Sequence, residues 1–128
     1  RNRISVVKGD SVDPQTIDTV RDWVYYPQNQ TILVILDSLH THEHVLQELR
    51  LYAPLVSVGS YVIVMDTVIE HLPPNSFPDR PWCLGNNPAT ALRQFLLEGG
   101  NENFEIDRSI DERLLISSAP GGYLRRVR

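Results

Sequence analysis

The sequence predicts an α/β domain, a three-layer sandwich on a mostly parallel sheet with a C-terminal antiparallel hairpin. Three observations predict it. Two apolar runs of strand length, Thr31–Leu36 and Tyr61–Met65, each end on an aspartate, Asp37 and Asp66. A segment with apolar residues at helical spacing lies between them, which makes a strand–helix–strand unit. Further helical stripes precede and follow that unit, so the element order alternates as it does when helices cover a sheet.

Taken in order, Ile4–Lys8 is the first strand candidate, and nothing before it covers its faces. Parallel strands are normally buried on both sides by crossover helices, so a sheet built only from this strand and the later ones has an open flank. The expectation is that residues 1–128 form a single α/β domain that is the C-terminal part of a larger one, or that pairs with a copy of itself as a homo-oligomer. Gly9-Asp10-Ser11 makes a turn, and Asp13-Pro14 supplies an N-cap followed by proline at the first helical position. Ile17, Val20 and Val24 recur at helical spacing, and Tyr26-Pro27-Gln28-Asn29 ends the helix. Thr31–Leu36 is apolar throughout, as a central parallel strand should be.

The loop from Ser38 to Thr41 leads to a helix with Val45, Leu46, Leu49, Tyr52 and Ala53 on its inward face. Ser57–Ser60 then turns the chain into the strand Tyr61–Met65. Residues 71–88 hold five prolines around Phe77 and Trp82. So many prolines exclude a helix or a ladder, and the segment reads either as a lid over the strand ends or as a plain connection. Asn87-Pro88 repeats the cap-then-proline signal for a helix with Ala91, Leu92, Phe95 and Leu96 inward, stopped by Gly99-Gly100. Phe104–Asp107 and Leu114–Ser118 read as short strands separated by Ser109–Arg113. Pro120-Gly121-Gly122 then turns the chain into a last strand, Tyr123–Val127, closing an antiparallel hairpin.

Composition narrows the functional classes. A chain of 128 residues with 41% hydrophobic content can bury one core. Its net charge is −4 and no basic run is long enough to track a phosphate backbone, which argues against nucleic acid. The single Cys83 precludes an intrachain disulfide. With no apolar run of about 18–20 residues and no signal-like N-terminal stretch, the reading is a cytoplasmic protein that does not enter the membrane.

Ligands of open α/β sheets collect outside the carboxyl ends of the strands, so Asp37 and Asp66 are expected to face one space. Two carboxylates there, with the hydroxyls of Ser38 and Thr67 beside them, suit a hard cation such as magnesium. His40, three residues after Asp37, could take a proton from a substrate hydroxyl near neutral pH. The same residues read equally well as Asp37 capping the next helix and Asp66 ending a strand in solvent. His40, His42 and His44 cannot converge as three zinc ligands on a helix, although His40 and His44 could join Asp37. No G-x-S-x-G, G-x-G-x-x-G or G-x-x-x-x-G-K-[ST] is present.

GDSVDP, LDSLHTHEHVLQELRLYAPLVSVGSYVIVMDT and FEIDRSIDERLLISSAPGGYLRRVR together resemble the C-terminal half of the cephalosporin hydroxylase family, which includes rhamnosyl O-methyltransferase-like proteins. That resemblance implies a class I S-adenosylmethionine-dependent methyltransferase with a Rossmann-like sheet. It implies that Asp37 and Asp66 hold a divalent metal such as Mg2+, that His40 is the general base, and that Gly9, Asp10 and Ser11 approach the adenine of the cofactor. The substrate it implies is a small molecule or sugar with a hydroxyl group. Two positions depart from the family pattern: Met65 stands where relatives often carry an acid, and Leu39 where they often carry a polar residue. Met65 and the missing glycine-rich turn keep a second reading open, a non-catalytic binding or assembly module. A hydroxylase lacks support, because no two-histidine-one-carboxylate set is spaced for iron.

Overall fold

A computed structural model describes residues 4–25 and 30–128. Its elements are α1 (Pro14–Tyr25), β1 (Val34–Leu36), α2 (His42–Tyr52), β2 (Tyr61–Val64), α3 (Pro88–Leu97), β3 (Phe104–Ile106), α4 (Arg108–Arg113) and β4 (Tyr123–Arg126), with a short 3₁₀ helix at Thr67–His71. The predicted stop at residues 26–29 lies outside the described residues.

The strands form one sheet in the order β1-β2-β4-β3. β1 and β2 run parallel with Leu36 opposite Val64, and Met65 N–H continues the ladder to the Leu36 carbonyl at 3.0 Å. β4 is inserted between β2 and β3 and is antiparallel to both. The sheet is α/β with a closing antiparallel pair as expected, and parallel pairing among the described strands is confined to β1–β2. α2 and α3 cover one face: Val45, Leu46, Leu49, Ala91 and Leu92 pack on Leu36, Val62, Val64 and Leu124. Each valine or leucine side chain buried there contributes about 1.5–3 kcal/mol. The opposite face stays open at β1 and the residue before it, where Ile35 is 58% and Leu33 50% exposed.

Two predicted strands do not form. Ile4–Lys8 is irregular, with Ile4 and Val6 in solvent; a strand gains its ladder bonds only beside a partner, and none lies there among the described residues. Leu114–Ser118 is also irregular, with Leu115 and Ile116 fully exposed. β4, its expected hairpin partner, already pairs along both edges with β2 and β3. β3, not Leu114–Ser118, is the antiparallel partner of β4 on that side, and α4 lies between them in the chain. The predicted connection Ser109–Arg113 is instead helical, because Asp107 caps it by accepting the Ser109 N–H at 3.1 Å and hydroxyl at 2.6 Å.

Gly122 is fixed by close approach. A Cβ there would stand 2.2 Å from the Val64 carbonyl oxygen, while the Gly122 carbonyl accepts the Val64 N–H at 2.8 Å. Only glycine lets β4 begin beside the end of β2. The contact sits two residues before Asp66.

Candidate functional site

The parallel register brings the ends of β1 and β2 side by side, and Asp37 and Asp66 lie directly beyond them. Asp66 is the one described non-glycine residue at positive φ (54°, ψ 27°). Aspartate tolerates this left-handed conformation better than most residues, yet it costs about 1–2 kcal/mol. The Ile69 N–H on the Asp66 carbonyl at 3.1 Å and the Val68 N–H on the Ser118 carbonyl at 3.2 Å hold the turn.

His40 completes the group. Its Nε2 lies 3.3 Å from Asp66 Oδ2, and one ligand atom from each of Asp37, His40 and Asp66 falls within 4.8 Å of the others. Among the described residues this is the one set of three with such convergence. Asp37 is exposed; His40 and Asp66 are half-buried. Thr41, not Asp37, occupies the N-cap of α2, and Asp66 has an imidazole partner.

The neighbouring hydroxyls turn elsewhere. Thr67 Oγ1 donates to the Pro120 carbonyl at 2.9 Å, and Ser38 Oγ donates to Glu48 Oε1 at 2.7 Å. Each gives its one hydrogen to another acceptor, so neither donates to the acids. The other histidines also separate. His40 precedes the start of α2, so helical spacing does not relate it to His44. His42 spans α2 and α3, with Nδ1 2.8 Å from Thr90 Oγ1 and Nε2 2.9 Å from Gln94 Oε1. His44 contacts Ser11 and Glu48, not Asp37. Gly9, Asp10 and Ser11 line a depression of about 310 Å³ with Ser38, Leu39 and His44.

The proline-rich segment packs against the group. The Trp82 ring meets His40 edge-on, 4.8 Å between centroids at 88°, and the Arg80 guanidinium lies 5.3 Å over the indole. Asparagines anchor the segment. Asn86 Oδ1 accepts the first N–H of α2 from His42 at 2.9 Å, and Asn87 closes a capping box on α3. Glu70 accepts the Gly85 N–H at 2.9 Å and the Asn87 amide at 2.5 Å. The Gly85 bond first, then Asn87, hold the Glu70 carboxyl below its ordinary value. Sequence reasoning singled out Trp82 within a segment read as a lid or a plain connection, and missed Glu70 and Asn86 as residues that anchor it. Asn86-Asn87 before proline carried a capping signal, but one helix only could be assigned to it.

The chain matches a family model described as rhamnosyl O-methyltransferase/CmcI over residues 1–127. It is 33% identical over 121 residues to the rhamnosyl O-methyltransferases of Mycobacterium bovis (strain BCG / Pasteur 1173P2) and Mycobacterium tuberculosis (strain ATCC 25618 / H37Rv), covering 94% of this chain and 46% of each relative. The rhamnosyl O-methyltransferase of Mycobacterium leprae (strain TN) is 28% identical over 116 residues, 88% of this chain and 48% of that protein. The chain therefore spans about half the length of the curated relatives it matches. No solved structure matches it significantly. No helix among the described residues is long and apolar enough to cross a membrane.

Proposed function

The chain belongs to the rhamnosyl O-methyltransferase/CmcI family, and from that premise we propose that the protein transfers a methyl group from S-adenosylmethionine to a hydroxyl of a sugar or other small molecule. The observation that carries this is the convergence of Asp37, His40 and Asp66 at two parallel strand ends. The names of the relatives support a sugar hydroxyl as acceptor. Their greater length supports reading residues 1–128 as one part of a larger methyltransferase domain.

The donor set fits a divalent cation. Two carboxylates offer hard oxygen ligands, and magnesium keeps several waters that a substrate hydroxyl can replace. Met65 adds no ligand, so Asp37 and Asp66 would hold the ion. When bound, the cation lowers the pKa of a coordinated hydroxyl, and S-adenosylmethionine supplies the methyl. His40 accepts the hydroxyl proton, and the Asp66 carboxylate steadies the imidazolium that results. Trp82 packs at right angles to the imidazole, which supports reading the segment as a lid. Gly9, Asp10 and Ser11 face the cofactor.

Manganese binding followed by electron paramagnetic resonance tests the donor set. Saturable binding that Asp37→Asn and Asp66→Asn each weaken is the expected result; equal binding in all three proteins would remove the metal from the mechanism. The second reading, a binding or assembly module, draws on Met65 and on the lack of a glycine-rich turn within these residues. It predicts a folded protein that binds neither manganese nor S-adenosylmethionine.

A further inference from the structure

Glu48 lies in the middle of α2 and is 2% exposed. A buried carboxylate is costly, and an apolar residue of similar volume at such a place is often neutral or stabilising. Its bonds are unusual. Oε1 accepts the Ser11 hydroxyl at 2.6 Å and the Ser38 hydroxyl at 2.7 Å, while Oε2 has no partner among the described residues. The Ser11 hydroxyl has one hydrogen and gives it to Glu48. His44 Nε2, 3.0 Å from Ser11 Oγ, must therefore carry the proton of that contact.

One turn further along α2, the Tyr52 phenol donates to the Ser11 carbonyl at 2.6 Å. Burial first, then the carboxylates of Glu48 and Asp10, hold that phenol above its ordinary value, so it stays a donor. α2 thus grips Ser11 through its side chain and its backbone. Ser38 comes from a different loop, between Asp37 and His40. Among the described residues the two serines share no bond with each other; a single carboxylate oxygen joins them.

We propose that Glu48 is the positioning residue that sets the Gly9–Ser11 turn and the Asp37–His40 loop in one geometry. Resting on the functional reading above, this makes Glu48 the link between the cofactor side and the acceptor side of the site. The carboxylate touches neither reactant and acts through the two serines.

The test uses the full-length protein with Glu48→Met, which keeps the volume and removes the acceptor, Glu48→Gln, which restores one acceptor oxygen, and Ser38→Ala. Amide hydrogen exchange without ligand is read at Val12 and Asp13, whose N–H groups bond Asp10, with Val64 as control. Exchange at Val12 and Asp13 is expected to quicken about tenfold in Glu48→Met and in Ser38→Ala, with Val64 unchanged. Among the described residues Ser38 makes no hydrogen bond to that turn except through Glu48, so a merely local role would leave these amides alone. In methyl transfer, Glu48→Met raises the KM for S-adenosylmethionine by about tenfold and Glu48→Gln recovers most of it. Unchanged exchange at Val12 and Asp13 in Ser38→Ala overturns the proposal, whether or not Glu48→Met folds. Wild-type protein that never binds S-adenosylmethionine sinks the methyl-transfer reading instead, and the exchange rates still decide the role of Glu48.

Discussion

His40 Nε2 lies 3.3 Å from Asp66 Oδ2, tying the loop after β1 to the left-handed turn after β2. The contact places charge and backbone strain on one residue. Asp66 must supply a carboxylate and also hold φ at 54°.

These two demands separate by substitution. Asn tolerates the left-handed region and keeps the side-chain shape, so Asp66→Asn should leave the melting temperature nearly unchanged while methyl transfer falls. Asp66→Ala should lose activity and also about 1 kcal/mol of stability, because alanine lacks the short polar side chain that makes the left-handed conformation tolerable for Asp and Asn. Thermal unfolding of both variants, beside their activities, checks the assignment. Equal activity in Asp66→Asn and wild type would mean that Asp66 serves the turn alone.

Gly122→Ala should destabilise the protein by about 2 kcal/mol or more, since the new methyl meets the Val64 carbonyl and the β2–β4 ladder must part. The strand end that moves is the one leading to Asp66, so activity should fall further than stability alone requires. Differential scanning calorimetry and initial rates measured well below the melting temperature check this. A variant with wild-type stability would show that the two strands do not meet as described.

That Asp37 and Asp66 lie side by side was legible in the sequence, because parallel strands with apolar cores end where polarity begins, and the two acids mark those ends. The α2 and α3 helices were legible from Val45, Leu46 and Leu49 and from the Asn87-Pro88 cap. Leu114–Ser118 was misread because an apolar run does not reveal whether a ladder is vacant; β4 had already filled both of its edges. Ile4–Lys8 failed for the related reason that a strand needs a neighbour. Glu48 was invisible because a glutamate between Leu46 and Leu49 reads as a solvated helix position until Ser11 and Ser38 close over it.

Acid should release the proline-rich segment before the rest of the fold. The Glu70 carboxyl is held below its ordinary value of 4.5, so the bonds to Gly85 and Asn87 contribute fully above about that pH. Their contribution is lost as pH falls through the lowered folded value. Trp82 emission in a Trp23→Phe background should shift to the red in that acid range while far-ultraviolet dichroism holds. Glu70→Gln should abolish the step. A shift that survives in Glu70→Gln would place the acid-sensitive group elsewhere.

The most direct test of the central claim is transfer of a labelled methyl group from S-adenosylmethionine to a rhamnoside hydroxyl by the full-length protein, with magnesium and with a chelator. The expected result is transfer by the wild type, a loss of about a hundredfold or more in His40→Ala, and no response to magnesium in Asp37→Asn. Transfer that persists at the wild-type rate in both variants would contradict the assignment of these residues to methyl transfer.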